Sequence, residues 1–310
     1  MNSSKTSEEP ELLQRYFGLS QTVASAYKRI PNVEGITVGG SLARGLSDES
    51  SDVEMYVYYR DELPGKHAIR ETLDNLRATL TRSADLHWFH PAWGHHTFFE
   101  IEGTKFELGY RNVEEIRARM ERFLSCGSIL SKHGIHDVPF GHYESGVASC
   151  IQESIVLYDP DGQVRSLKSL VKVYPERLKR AILNYYLQDA RVITEQKIIY
   201  AALRDDTYQF NACVAKVIRS VVLCLFAINE VYFPGDKWNQ HYISSFRIKP
   251  GNYEAVLSEL FSLPDLPARN KEKKKRLLTK VIRELEQLAK PILDAHGDPG
   301  GGESGAPEAR

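Results

Sequence analysis

The stretch Gly39–Tyr59, GGSLARGLSDESSDVEMYVYY, decides how the rest of the chain is read. It begins where a β-rich run, Val33–Val38, ends in Gly39-Gly40-Ser41. Glycine lets a ligand approach the backbone closely, and such a turn exposes successive N–H groups. A helix starting over Leu42–Leu46 would add its positive dipole end, so the turn suits phosphate oxygens, with the Ser41 hydroxyl as a further donor. A loop rich in Ser, Asp and Gly runs to Ser51. Asp52–Tyr59 then alternates as a strand, with Asp52, Glu54, Tyr56 and Tyr58 on one face and Val53, Met55, Val57 and Tyr59 on the other. Neighbouring carboxylates repel, so a site that keeps both Asp52 and Glu54 ionised wants a cation. Hard oxygen ligands select Mg²⁺ or Mn²⁺ over zinc.

A third carboxylate is expected from Thr104–Tyr110, which with Thr97–Glu102 reads as a hairpin around Gly103. If that strand runs beside Asp52–Tyr59, Glu107 reaches the same face; Glu100 and Glu102 on the partner strand are rivals nearer the tip. Three carboxylates can hold two divalent ions, which clamp the attacking and leaving oxygens of an in-line displacement at phosphorus. Arg44 is read either as a phosphate ligand or as a partner of Asp48 or Glu49 in the loop. Lys105 shares a face with Glu107 and could meet the triphosphate or form a salt bridge.

This pattern resembles the DNA polymerase β-like nucleotidyltransferase superfamily, whose mark is a Gly-Ser loop followed by Asp-x-Asp or Asp-x-Glu. Gly40, Ser41, Asp52 and Glu54 match it. The spelling G-S-L-x-R-G with S-D-x-E-M is most similar to the kanamycin-type antibiotic nucleotidyltransferases, as is the phrase Phe106-Glu107-Leu108 and the turn Leu157–Gly162 before the helical domain. The stretch Leu225–Asn229 followed by Pro234-Gly235-Asp236-Lys237-Trp238 resembles uncharacterised bacterial members of the same superfamily. The resemblance implies an Mg²⁺-dependent enzyme that moves a nucleoside monophosphate, usually AMP from ATP, to a hydroxyl of an aminoglycoside- or lincosamide-like small molecule, releasing pyrophosphate. It implies Asp52, Glu54 and Glu107 as metal ligands, and Gly40, Ser41 and Arg44 at the triphosphate. A helical-domain carboxylate would take the acceptor proton: Asp189 first, Asp206 second, with Glu195 and Asp205 behind them. Such folds also work as dimers sharing a cleft, so a homodimer is among the expected partners. Two other readings stand beside this one: AMP transfer to a protein or RNA, as in toxin–antitoxin members, and a non-catalytic nucleotide-binding or regulatory protein of the same fold.

Outward from the motif, the chain reads as two parts. Residues 1–9 look frayed, and an amphipathic helix runs from Pro10 to Ile30. Residues 10–165 form the expected α/β (α+β) domain with a mixed sheet, including a helix over Gly65–Leu80, a strand over Asp85–Phe89 and a helix capped by Asn112. Residues 166–294 form an all-α bundle, with helices over Tyr174–Ala202, Tyr208–Glu230, Tyr253–Leu260 and Lys271–Leu293. Residues 295–310 are a flexible tail by composition. At about 150 residues per domain, 310 residues accommodate both parts.

The balance of 40 basic and 41 acidic side chains, net −1, argues against broad duplex nucleic-acid binding, which needs a basic surface. Four scattered cysteines, with no C-x-x-C pair, argue against a zinc ribbon and read as reduced structural thiols. The polar N-terminus lacks an apolar signal core, and Val221–Ile228 falls far short of the roughly 20 apolar residues of a membrane span. These features are read as a soluble, cytoplasmic protein. The histidines from His87 to His96 fit no zinc spacing and read as surface or packing residues. The run Lys271–Arg276 reads as a solvated helix face. Lys237 and Trp238 could line an acceptor pocket, although packing is favoured for Trp238.

Overall fold

A computed structural model describes residues 5–82, 84–90, 94–126, 144–235, 237–264 and 268–295. It divides into two compact units, Met1–Lys179 with Glu230–Asn239, and Arg180–Asn229 with Gln240–Arg310. Residues 1–4 and the tail beyond 295 lie outside the described residues, as do Pro91–Trp93 of the His-rich stretch.

The first unit runs α1 (Lys5–Tyr27), β1 (Val33–Val38), α2 (Gly40–Arg44), β2 (Val53–Tyr59), α3 (Lys66–Asn75), β3 (Thr79–Leu80), β4 (Trp88–His90), β5 (Gly94–Ile101), β6 (Thr104–Asn112), α4 (Val113–Leu124), α5 (Glu144–Glu153), β7 (Ile155–Tyr158), α6 (Gln163–Leu170) and the start of α7 (Glu176–Val192). The strands form one mixed sheet in the order β3-β5-β6-β2-β1-β7, with β4 paired to β5. Only the β2–β6 pair is parallel among the described pairings. Period-two alternation sends Ile36, Val38, Val53, Met55, Val57, Phe99, Phe106 and Leu108 into one buried core with Tyr16, Val23 and Tyr27 of α1 and Ile69 and Leu73 of α3. The opposite face bears Glu54, Tyr56, Glu107, Gly109 and Arg111. There Gly35 admits α6: a Cβ on Gly35 would stand 2.4 Å from Val164 Cγ2.

Several expectations shift. The first helix begins at Lys5, ahead of Pro10, which lies within it. The helix expected over Gly65–Leu80 stops at Asn75, because Arg77 adopts φ +54° and Thr79 and Leu80 pair with Glu100 and Phe99. The strand expected over Asp85–Phe89 is confined to Trp88–His90. Asn112 caps α4 as expected, its Oδ1 accepting from the Glu114 and Glu115 amides. Helix α6 has no recognisable cap in the sequence, since Gly162 precedes it. The cap is Asp159, whose carboxylate accepts from the Val164 and Arg165 amides.

The unit boundary falls at Lys179 instead of residue 165. Contacts of four residues hold the later segments to the first unit. Lys168 Nζ donates to the Ile151, Gln152 and Ser154 carbonyls, binding α6 to the end of α5. Ser145 Oγ donates to the Phe233 carbonyl, and Tyr232 rests against Phe123 and Tyr174. Lys179 bridges Glu176 and Glu230.

The regular secondary structure of the second unit, among its described residues, is all helical. The rest of α7 passes through a π-helical turn, Ile193–Lys197, into α8 (Ile198–Leu203), followed by α9 (Thr207–Ile228), α10 (Asn239–Ser245, whose first residue belongs to the first unit), α11 (Tyr253–Ser262) and α12 (Ala268–Asp294). Helix α9 is long and apolar enough to cross a membrane by length and composition, a length the Val221–Ile228 run alone does not convey; 67% of its apolar window is buried. The basic run at the start of α12 departs from a solvated face: Lys271 and Lys274 are buried. They fall at helical spacing on the stripe continued by Leu278, Val281 and Leu285, so the turn of the helix carries them inward. Lys271 is ion-paired with Asp205 and lies 5.7 Å from the Phe210 ring centroid.

Candidate active site

The site is assembled at the start of β2. The Gly39 amide donates to the Glu54 carbonyl (2.8 Å), extending the β1–β2 ladder up to the glycine turn. Gly40 then takes φ +59°, a left-handed conformation that glycine adopts without steric cost. Its missing side chain matters as well. A Cβ there would lie 2.7 Å from Glu54 Cδ and 2.8 Å from its Oε2. The turn and the carboxylate are therefore in direct apposition. Five-residue α2 closes on Gly45, also left-handed, and Ser41 Oγ and Ser47 Oγ share a hydrogen bond of 2.9 Å.

Asp52 is exposed immediately before β2, one residue outside the strand expected to contain it. Glu54 is half-buried, and Tyr56 Oη donates to its Oε2 at 3.2 Å. The conditional pairing of the hairpin is present: β6 runs parallel to β2 with Glu107 in register with Glu54. Their electrostatics reflect the crowding. Burial, followed by the charge of Asp52, pushes the Glu54 carboxyl up, opposed by Arg44, Lys237 and Tyr56. Burial pushes Glu107 up to about 7, with Glu54 and Asp52 adding to it and Arg82 and Lys237 opposing. The rivals stand apart from this pair: Glu100 is opposite Lys105, and Glu102 turns the hairpin tip with φ +50°. Lys105 is exposed.

Arg44 pairs with a residue that neither sequence reading named. Its Nε donates to Glu153 Oε2 of α5 at 2.7 Å. Asp48 is occupied by its own loop, accepting from Ser50 and Ser51.

Three groups beside the carboxylates have a part that the sequence did not assign them: Arg82 was not named, Lys237 was read only as a possible acceptor-pocket residue, and His96 only as a surface or packing histidine. Arg82, whose guanidinium lies 4.7 Å from the Phe98 ring centroid, and Lys237 both bear electrostatically on Glu107. Lys237 is exposed and follows the Pro-Gly turn; Trp238, expected to pack, is 43% exposed. His96 is buried 3.6 Å from Glu107 Oε1, so the His-rich stretch does contribute to this locality. Its only sequence signal was its place on a strand of alternating residues facing β6.

The carboxylates considered for proton transfer belong to the helical unit. Asp189 accepts from Ser220 Oγ at 2.9 Å, and Asp206 caps α9 through the Gln209 amide at 2.9 Å. Asp205 is the ion-pair partner of Lys271, and Glu195 is exposed in the π-helical turn.

Among the described residues, no three His, Cys, Asp or Glu side chains converge tightly enough to form a ligand set. The donor chemistry nonetheless fits a hard divalent cation. Asp52, Glu54 and Glu107 are oxygen donors only; burial raises Glu54 and Glu107, and neighbouring carboxylate charge, from Asp52 on Glu54 and from Glu54 and Asp52 on Glu107, adds to it.

Comparison with known proteins adds three findings. The model of a family described as a domain of unknown function (DUF4037) matches residues 142–239. No curated protein matches the chain. Among solved structures, the chain is similar to a nucleotidyltransferase-like protein from Exiguobacterium sibiricum 255-15. The identity is 12% and the TM-score 0.40, over 89% of this chain and 76% of that one.

Proposed function

We propose that the protein is a nucleotidyltransferase that moves a nucleoside monophosphate, AMP from ATP as the first choice, to a hydroxyl of a small molecule of aminoglycoside or lincosamide type. The observation that carries the proposal is the register of Glu54 with Glu107 on parallel strands, directly beside the Gly40 turn. Asp52, Glu54 and Glu107 would hold Mg²⁺ or Mn²⁺, whose chemistry is to neutralise charge on the phosphate oxygens.

The chain's own groups take the remaining roles. The Gly40-Ser41 turn receives the triphosphate through backbone N–H groups and the Ser41 hydroxyl. Lys237 and Arg82 supply positive charge beside the carboxylates, which would otherwise repel an anionic substrate. Arg44 is tied to Glu153, so it supports the turn through α5. In the transfer, the acceptor oxygen bonds to the α-phosphorus and the bond from that phosphorus to the bridging oxygen breaks. Pyrophosphate leaves with the electron pair, and the acceptor proton passes to a carboxylate base. Asp189 is the first choice for that base and Asp206 the second; each accepts one hydrogen bond within the helical unit, Asp189 from Ser220 Oγ and Asp206 from the Gln209 amide.

The test is pyrophosphate release from labelled NTPs with Mg²⁺, using aminoglycosides, lincosamides and bulk cellular protein as acceptors. Wild-type turnover with a small acceptor, lost in Asp52→Asn/Glu54→Gln, is the expected result. Equal rates for the variant would sink the metal assignment, and labelling of protein alone would replace the acceptor class.

A further inference from the structure

The setting of Glu107 on β6 shows what holds its carboxylate. Strand β5 lies antiparallel to β6, with Phe98 opposite Glu107 and His96 opposite Gly109. His96 and Glu107 are therefore diagonal neighbours on one face, a separation that a ring side chain can span. The imidazole does span it: Nε2 stands 3.6 Å from Glu107 Oε1.

The glycine at 109 makes this approach possible. A Cβ there would come within 3.1 Å of His96 Nε2 and 3.2 Å of the Tyr56 ring. Glycine inside a strand often marks such a close approach. The ring itself is fixed on its other sides. It stacks on Phe98 at 6.0 Å with a 15° interplanar angle and meets the Trp88 edge at 6.2 Å. Its Nδ1 faces the Gly94 carbonyl at 3.3 Å, leaving Nε2 directed at the carboxylate. His96 is 4% exposed, so the ring has little freedom to turn away.

We propose that His96 is a positioning residue: its buried imidazole fixes the Glu107 carboxylate, and so tunes the affinity of this site for a divalent cation. The inference rests on the nucleotidyl-transfer reading, in which Glu107 is a metal ligand. Groups that orient a ligating carboxylate typically contribute about 10–100-fold to metal affinity.

The experiment measures Mn²⁺ binding to the full chain by electron paramagnetic resonance, without nucleotide, for wild type, His96→Phe, His96→Gln and Glu107→Gln. Phe keeps the ring packing on Phe98 and Trp88 and removes Nε2. His96→Phe should weaken Mn²⁺ binding about tenfold, and His96→Gln, which restores a polar group, should recover part of that loss. Near-UV circular dichroism confirms folding. If His96→Phe does not fold, Gly109→Ala is read in its place, since it crowds Nε2 without altering the histidine. Unchanged Mn²⁺ affinity in His96→Phe, or in Gly109→Ala where that is read, beside a loss in Glu107→Gln overturns the positioning role while leaving the metal reading intact. Unchanged affinity in Glu107→Gln, or no Mn²⁺ binding by wild type, overturns both.

Discussion

Replacing Gly40 with alanine perturbs the site at the point where backbone and carboxylate meet. Two costs follow from the geometry. The first is conformational: φ +59° is a left-handed value, costing a non-glycine residue about 1–2 kcal/mol. The second is steric. The new Cβ would stand 2.7 Å from Glu54 Cδ, so the carboxylate must move away from Tyr56 Oη. Losing that hydrogen bond to a partly buried carboxylate costs about 1–2 kcal/mol more. Gly45 supplies the control, because it has φ +70° and a methyl added there would meet nothing within 4 Å. Urea denaturation should therefore place Gly45→Ala about 1–2 kcal/mol below wild type and Gly40→Ala about 2–4 kcal/mol below it. In a Glu54→Ala background, the cost of Gly40→Ala should fall to that of Gly45→Ala. Mn²⁺ binding should be lost in Gly40→Ala and kept in Gly45→Ala. Equal costs for the two glycines, unchanged by removing Glu54, would refute the apposition of turn and carboxylate.

Other outcomes follow from the same structure. Glu107, pushed up from 4.5 to about 7, favours its protonated form in the fold. The penalty for ionising it grows as pH rises from 4.5 through 7 and is complete above that. Without divalent metal at pH 8, Glu107→Gln should therefore be more stable than wild type by up to about 3 kcal/mol, an advantage absent at pH 4. Denaturation curves at both pH values check this; equal stability at pH 8 would contradict it. Gly35→Ala should destabilise by about 1–3 kcal/mol through overlap with Val164, and Val164→Ala should relieve part of that cost. Failure of the second change to rescue the first would show that α6 does not depend on this contact. Asp189→Asn should lower the rate of NMP transfer about 10²-fold or more with NTP binding retained. An unchanged rate removes Asp189 as the base.

The most local part of the site was also the most legible. Gly39 through Tyr59 form a glycine turn, a short helix, a loop and a strand, and both residue types and spacing are written in consecutive sequence. Glu107 was legible one step further out, because a hairpin around Gly103 sets the parity of its strand. Parity alone does not choose a neighbour, however, and the parallel pairing with β2 is a tertiary fact. The partner of Arg44 was hidden for the same reason: Glu153 belongs to a helix that is close only in the fold. Helix α6 went unread because its cap, Asp159, lies outside the position that a local capping pattern inspects. The buried lysines of α12 show the reverse case. Their spacing matched the apolar stripe, but their charge argued for solvent, and the ion pair with Asp205 accommodates Lys271 inside.

The near-neutral sum of 40 bases and 41 acids describes none of this arrangement. By itself the sequence determined the α/β-then-helical order, the glycine turn and the carboxylate-bearing strand. Those depend on backbone freedom and side-chain periodicity, which act over a few residues. Only the tertiary structure decided that Glu107 meets Glu54, that Lys237 returns to the sheet-bearing unit, that α6 and the chain up to Lys179 remain with it, and that His96 faces a carboxylate. These depend on strand pairing and burial between distant segments, where desolvated charges acquire neighbours that no local pattern encodes.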